Sequence, residues 1–163
     1  MTVAAEFHTS VASKIVVILL GGSAVLWVAL LLAGLASGER LGYLAFATLI
    51  ASVGVVLATA ISLRAPPRTY NLARITWMSW AAVILILGIL LGDSAGGTVI
   101  AYSMAAISFP VGLVALPLIG VIAGKISATW LGMVVMWAAC AGIGYLQWFV
   151  VLPKALRREV QTS

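Results

Sequence analysis

The sequence predicts an all-α, polytopic integral membrane bundle, and three observations carry that prediction. Of the 163 residues, 64% are hydrophobic and only 8% are charged, whereas roughly a quarter of the residues of a soluble domain are charged. The apolar residues lie in runs of about 20 or more, the length that crosses the ~30 Å hydrocarbon core of a bilayer. The charges fall in the short intervals between those runs. Five hydrophobic helices are expected, at 15–36, 41–63, 75–92, 98–123 and 126–152, with a polar loop at 64–74 and a basic tail at 153–163. Together they make a single transmembrane domain over 1–163, and the length leaves no room for a soluble domain beside it.

The first run, Ile15 to Ala36, has 22 residues. A signal-peptide core has about 7 to 15, so this segment is expected to be a retained span, although Gly34-Leu35-Ala36 resembles a cleavage pattern. Ser37-Gly-Glu-Arg40 is a tight turn. So short a connection makes the second span, from Leu41 to Leu63, the antiparallel neighbour of the first.

The interval Arg64 to Arg74 follows. Pro66 and Pro67 cannot continue the preceding helix, and Arg64, Arg68 and Arg74 cannot rest in hydrocarbon. The third span is expected to begin near Ile75. Trp77 and Trp80 then stand at its start as interface anchors, where indole rings favour the headgroup level.

From Thr98 to Leu152 only Lys125 is charged, and 55 residues are enough for two spans. Pro110 and Pro117 make the first of these a kinked helix or, alternatively, a re-entrant segment that leaves four spans. In the last span Trp130 and Trp148 are 18 residues apart. That is about 27 Å along a helix, so the two indoles are expected to anchor opposite interfaces.

Basic residues near span ends favour the cytoplasm. With five spans and the N-terminal side inside, Lys14, Arg64, Arg68, Arg74 and Lys125 are cytoplasmic and Arg40, Lys154, Arg157 and Arg158 are not, five against four. With four spans Lys154, Arg157 and Arg158 join the cytoplasmic set and Lys125 leaves it, seven against two. Arg64, Arg68, Arg74, Lys154, Arg157 and Arg158 are therefore the expected topology determinants.

Few residues invite a chemical role. Thr48, Ser52, Thr59 and Ser62 share one side of the second span and offer either a polar path for a solute or hydroxyls for helix contacts. Gly-xxx-Gly pairs at 34/38, 38/42, 88/92, 92/96 and 120/124 point to close helix packing at Gly34, Gly38, Gly88, Gly92, Gly120 and Gly124, or to turns. Glu39 and Asp93 lie in turns and suit solvated positions, with a weak cation site at the mouth of the bundle as the rival reading. Gln147 suits a partner helix, a headgroup or interfacial water. His8 is the only histidine and Cys140 the only cysteine, so neither a two-histidine haem site nor an intrachain disulfide is possible.

Ser108-Phe-Pro-Val-Gly112 followed by Gly144-Tyr-Leu-Gln-Trp-Phe-Val-Val-Leu-Pro153 and a basic tail resembles the C-terminal helix pair of small, uncharacterised bacterial inner-membrane proteins. The resemblance covers the last third of the chain. It implies a multi-pass protein of the bacterial inner membrane and attaches no activity.

No zinc-protease, nucleophile-elbow or phosphate-loop motif occurs, nor any pair of intramembrane aspartates. The sequence therefore points away from an enzyme, and no cofactor or metal is expected. The basic residues are spread over loops and a tail, which suits anionic lipid and not nucleic acid. The expected role is that of a non-enzymatic accessory or scaffold subunit packing against the lipid bilayer, another membrane protein or a second copy of itself. A small carrier or channel for a weakly polar solute is the alternative.

Overall fold

The computed structural model describes residues 2–38, 40–123, 125 and 129–156, and among these the chain is helical with no strand. The helices are α1 (Thr2–Ser37), α2 (Arg40–Ser62), α3 (Pro67–Leu91), α4 (Asp93–Ile107), α5 (Val111–Ala123) and α6 (Thr129–Tyr145). A π-helical turn, Leu146–Val151, continues α6, and the chain stays helical to Leu156.

Four helical stretches are long and apolar enough to cross a membrane: Val11–Ala36, Leu41–Ser62, Pro67–Leu91 and Trp130–Leu156. The protein is a multi-pass membrane protein. The segment 98–123, expected as one helix, forms two short ones, α4 of 15 residues and α5 of 13. They extend about 22 and 20 Å, short of the ~30 Å hydrocarbon layer. Among the described residues there are thus four stretches of span length and two shorter apolar helices.

The break between α4 and α5 falls at Ser108, Phe109 and Pro110, where the Phe109–Pro110 peptide is cis. Proline has no N–H to donate, so the regular ladder stops there. A Cβ built on Gly112 would stand 3.5 Å from the Ala105 carbonyl oxygen. Residues seven apart in a straight helix are separated by about 10.5 Å along the axis. The chain is therefore sharply bent at Ser108–Pro110. Pro117, by contrast, is accommodated inside α5.

The chain divides into two compact units, Met1–Val83 and Ile84–Ser163. The first is built on an α1–α2 hairpin. Gly38 turns it with φ +80°, a left-handed conformation that favours glycine. A Cβ on Gly34 of α1 would meet Tyr43 Cβ of α2 at 2.6 Å, and one on Gly54 of α2 would overlap the Ser23 side chain of α1. Moving eleven residues back along α1, from Gly34 to Ser23, moves eleven forward along α2, from Tyr43 to Gly54. Eleven residues are about three helical turns, so both contacts lie on the same pair of faces, roughly 16 Å apart. The hairpin is thus antiparallel and in register along that length.

The helix α2 closes in tight turns, with Arg64 N–H donating to Ile61 O at 3.2 Å and Ala65 N–H to Ser62 O at 3.0 Å. Then α3 starts at Pro67, eight residues before the expected Ile75. Proline suits the first helical position because its missing N–H would have no intrahelical partner there. Tyr70 N–H donates to Pro66 O at 3.0 Å, the first bond of the new helix. Most of the expected 64–74 loop is therefore helix, with Arg68 and Arg74 exposed on its opening turns.

The second unit holds α4, α5, α6 and the π turn. Its chain continues helically past Pro153, where the tail was expected to begin. At the π turn the spacing of the ladder lengthens, and Leu152 N–H donates to Gln147 O, five residues back. A proline ring clashes with the carbonyl four residues back in a regular helix, and a wider turn immediately before Pro153 loosens that constraint.

Candidate functional site

Buried polar side chains form two nodes of hydrogen bonds between elements, one in each unit. In the first, α2 supplies Thr48 and Ser52, both fully buried. Thr48 Oγ1 donates to Leu44 O at 2.7 Å, and Ser52 Oγ donates to Thr48 O at 2.7 Å. Each oxygen also accepts from an indole of another helix: Trp27 Nε1 of α1 donates to Thr48 Oγ1 at 3.3 Å, and Trp80 Nε1 of α3 donates to Ser52 Oγ at 3.0 Å. The two indoles meet edge to face, with centroids 5.5 Å apart and planes at 87°. That geometry suits aromatic quadrupoles and ties α1, α2 and α3 together at one level.

Further along α2, Thr59 Oγ1 donates to Val55 O at 2.8 Å and Ser62 Oγ to Thr59 O at 2.7 Å, and both residues are buried. All four hydroxyls of the expected polar face thus donate to the backbone of their own helix. At the far end of the unit Ser13 Oγ and Thr69 Oγ1 share a hydrogen bond of 2.9 Å, joining α1 to the first turn of α3.

The second node surrounds the break between α4 and α5. Gln147, in the π turn, is only 8% exposed. Its Nε2 donates to Phe109 O at 2.5 Å, and its Oε1 accepts from Val111 N–H at 3.2 Å. The neighbouring Trp148 donates from Nε1 to Ile107 O at 3.2 Å. Ser108 Oγ donates to Met104 O, and Ser108 N–H donates to the same carbonyl at 3.0 Å. A broken helix in an apolar setting exposes backbone groups that cost several kcal/mol each if unpaired. Consecutive side chains of the π turn supply those partners. The two motifs Ser108–Gly112 and Gly144–Pro153, 36 residues apart at their hydrogen-bonded positions 111 and 147, are thereby one structural unit.

Several expected positions are placed differently. Trp148, taken as a headgroup anchor, is 7% exposed and faces the interior. Trp77 is buried, and Trp80 is half-buried. With α3 beginning at Pro67, these two rings lie about 15 and 20 Å into the helix, not at its start. Trp130 is 60% exposed and alone among the four can face lipid freely.

The glycines also separate by role. Gly34 is a packing contact, and Gly88 is buried. Gly38 and Gly92 have φ of +80° and +77° and serve turns. Gly120 has open space around it. Gly124, Glu39, Arg157 and Arg158 lie outside the described residues, as do the side chains of Asp93 and His8. Arg64, Arg68, Arg74 and Lys154 are exposed.

Trp27, Ser23 and Gly54 were not singled out from sequence. One signal was available for Trp27, which stands thirteenth in a 22-residue apolar run, away from the interfaces that indoles prefer. Among the described residues no cluster of three or more His, Cys, Asp or Glu is placed to hold a metal.

A family model described as the uncharacterised membrane protein YbfB family matches residues 71–158. The match covers more than half of the chain. No curated protein and no solved structure matches the chain.

Proposed function

This chain belongs to the YbfB family of uncharacterised membrane proteins, and we propose that it is a non-enzymatic multi-pass protein of the bacterial inner membrane that acts by helix packing, as an accessory subunit against a membrane partner or lipid. One observation supports this reading above the others. The buried polar side chains of both nodes, Thr48, Ser52, Thr59, Ser62, Ser108 and Gln147, are all engaged with backbone carbonyls or indoles. A path for a polar solute needs hydroxyls turned toward the solute. Here each hydroxyl hydrogen is directed at the carbonyl of its own preceding turn.

The reading includes a topology. Four crossings, by α1, α2, α3 and the helix through Trp148, return the tail to the side of Lys14 and Arg64. The cations then divide seven against two, which suits a cytoplasmic location for the seven. The α4–α5 pair enters and leaves on the opposite side, and its broken backbone is covered by Gln147 and Trp148, as non-helical backbone at membrane depth requires.

The test is crosslinking in native membranes from photoreactive residues placed at Leu90, Val114 and Leu118, large apolar side chains that face outward. A discrete adduct with a membrane protein, or a stable lipid-bearing complex on mild extraction, is the expected result. A bare monomer with no adduct, or measurable solute flux in proteoliposomes, would overturn the reading.

A further inference from the structure

We propose that the end of the first unit where α1, α2 and α3 converge is a binding site for the phosphodiester headgroup of an anionic phospholipid, formed by Lys14, Arg64 and Arg68 and held in shape by the Ser13–Thr69 hydrogen bond. The site deepens the lipid side of the function proposed above. The three cations come from three different segments: the start of the apolar run of α1, the turn after α2 and the first turn of α3. Ser13 Oγ and Thr69 Oγ1 lie 2.9 Å apart. Lys14 follows Ser13 and Arg68 precedes Thr69, each one Cα–Cα step of about 3.8 Å away. Arg64 is four residues before Arg68 and stands in the tight turns at Ile61–Ala65 that separate α2 from α3. All three side chains are exposed.

The neighbouring sequence leaves this charge uncompensated, since residues 11–14 and 63–74 contain no carboxylate. Glu6 is eight residues from Lys14, about 12 Å further along α1. The depth is also fixed by sequence. Each cation lies within three residues of the end of an apolar stretch long enough to cross a membrane, Lys14 in Val11–Ala36, Arg64 after Leu41–Ser62 and Arg68 in Pro67–Leu91, so all three ends sit at headgroup level when those stretches sit in hydrocarbon. Guanidinium groups offer a planar fork of donors that matches phosphate oxygens, and lysine adds a point charge. Zwitterionic lipids carry the same phosphate with a compensating ammonium, so the site discriminates by net charge.

The clamp separates a built site from general attraction to a charged surface. Removing Ser13 and Thr69 hydroxyls leaves every charge in place and releases only the geometry.

The experiment is native mass spectrometry of the full chain, extracted from vesicles of equal phosphatidylglycerol and phosphatidylcholine, with helicity and thermal unfolding recorded for each variant. The wild type is expected to retain phosphatidylglycerol preferentially. Arg64→Gln with Arg68→Gln should lower that retention on the order of tenfold, and Ser13→Ala with Thr69→Val should lower it comparably at unchanged charge. Inorganic phosphate at millimolar concentration should not displace the lipid. If the double glutamine variant retains phosphatidylglycerol like the wild type, or the clamp variant keeps the full preference, the site is refuted; displacement by free phosphate would refute the lipid assignment. Should the clamp variant lose helicity, Lys14→Gln, which alters only an exposed side chain, takes its place, and undiminished retention there refutes the site equally. Failure on any of these arms leaves the partner crosslinking test untouched.

Discussion

Gln147 shows how one side chain stabilises a break in a membrane helix. Its amide both donates, to Phe109 O, and accepts, from Val111 N–H, across the two sides of the α4–α5 turn. Leucine has nearly the same volume and neither capacity. Gln147→Leu is therefore expected to leave one part-buried donor and one part-buried acceptor unpaired, at a cost of up to about 1–3 kcal/mol for each group. Thermal unfolding in detergent would show the loss, and amide exchange at Val111 would accelerate selectively. Gln147→Glu, when ionised, keeps an acceptor for Val111 N–H but loses the donor to Phe109 O, so it should be destabilising while exchange protection at Val111 is retained. Unchanged exchange at Val111 in Gln147→Leu would mean that the amide does not cap the turn. The signal for this role was faint in sequence, because an amide near a helix end suits interfacial water equally well. Only the fold brings position 147 to positions 109 and 111.

Among the elements, the α1–α2 hairpin depends on small residues at two points of close approach. The Gly-xxx-Gly spacing pointed to Gly34, and Gly34 indeed meets Tyr43. The same spacing also marked Gly38 and Gly92, which serve turns, while Gly54 belongs to no such pair and packs against Ser23. Spacing within one helix cannot reveal a contact whose other half is a serine on a different helix. Gly54→Ala should place a methyl group against Ser23 and destabilise the hairpin by about 1–3 kcal/mol, the usual cost of overpacking. Gly34→Ala should cost at least as much, since the opposing atom is Tyr43 Cβ, which cannot rotate away. Combining Gly54→Ala with Ser23→Gly removes the opposing side chain and should recover most of the loss, giving non-additivity of the size seen for contacting residues, about 0.5–3 kcal/mol. Strict additivity in equilibrium unfolding would argue against the register described for α1 and α2.

At the scale of the whole molecule the decisive quantity is the number of crossings. Length and tryptophan spacing favoured five spans, while the distribution of basic residues favoured four. The short α4 and α5, about 8 and 10 Å less than the hydrocarbon thickness, favour the second count. A reporter joined after Arg158 is expected on the same side of the membrane as one inserted between Arg64 and Pro66, and one at Lys125 on the opposite side. Opposite locations for the first two would require α4 and α5 to cross together and would restore the fifth span. The tryptophans explain why sequence alone leans toward five. The spacing marks Trp148 as an interface residue, whereas in the fold it is buried and donates to Ile107 O inside the second unit.

Composition and run length alone dictated a helical, multi-pass membrane protein, because a backbone in hydrocarbon must satisfy its own hydrogen bonds and apolar runs of span length leave it only the helix. They also placed the basic segments at span ends, since charge does not rest in lipid. Chain folding settled the partners of the polar side chains: Trp27 with Thr48, Trp80 with Ser52, and Gln147 with the turn at Phe109. Each of these joins residues 21 to 38 positions apart. A short polar group in a membrane helix can bond its own preceding turn, a neighbouring helix or water, with little difference in local preference. Which one it finds depends on what the other helices bring within about 3 Å, and that distance is a property of their packing.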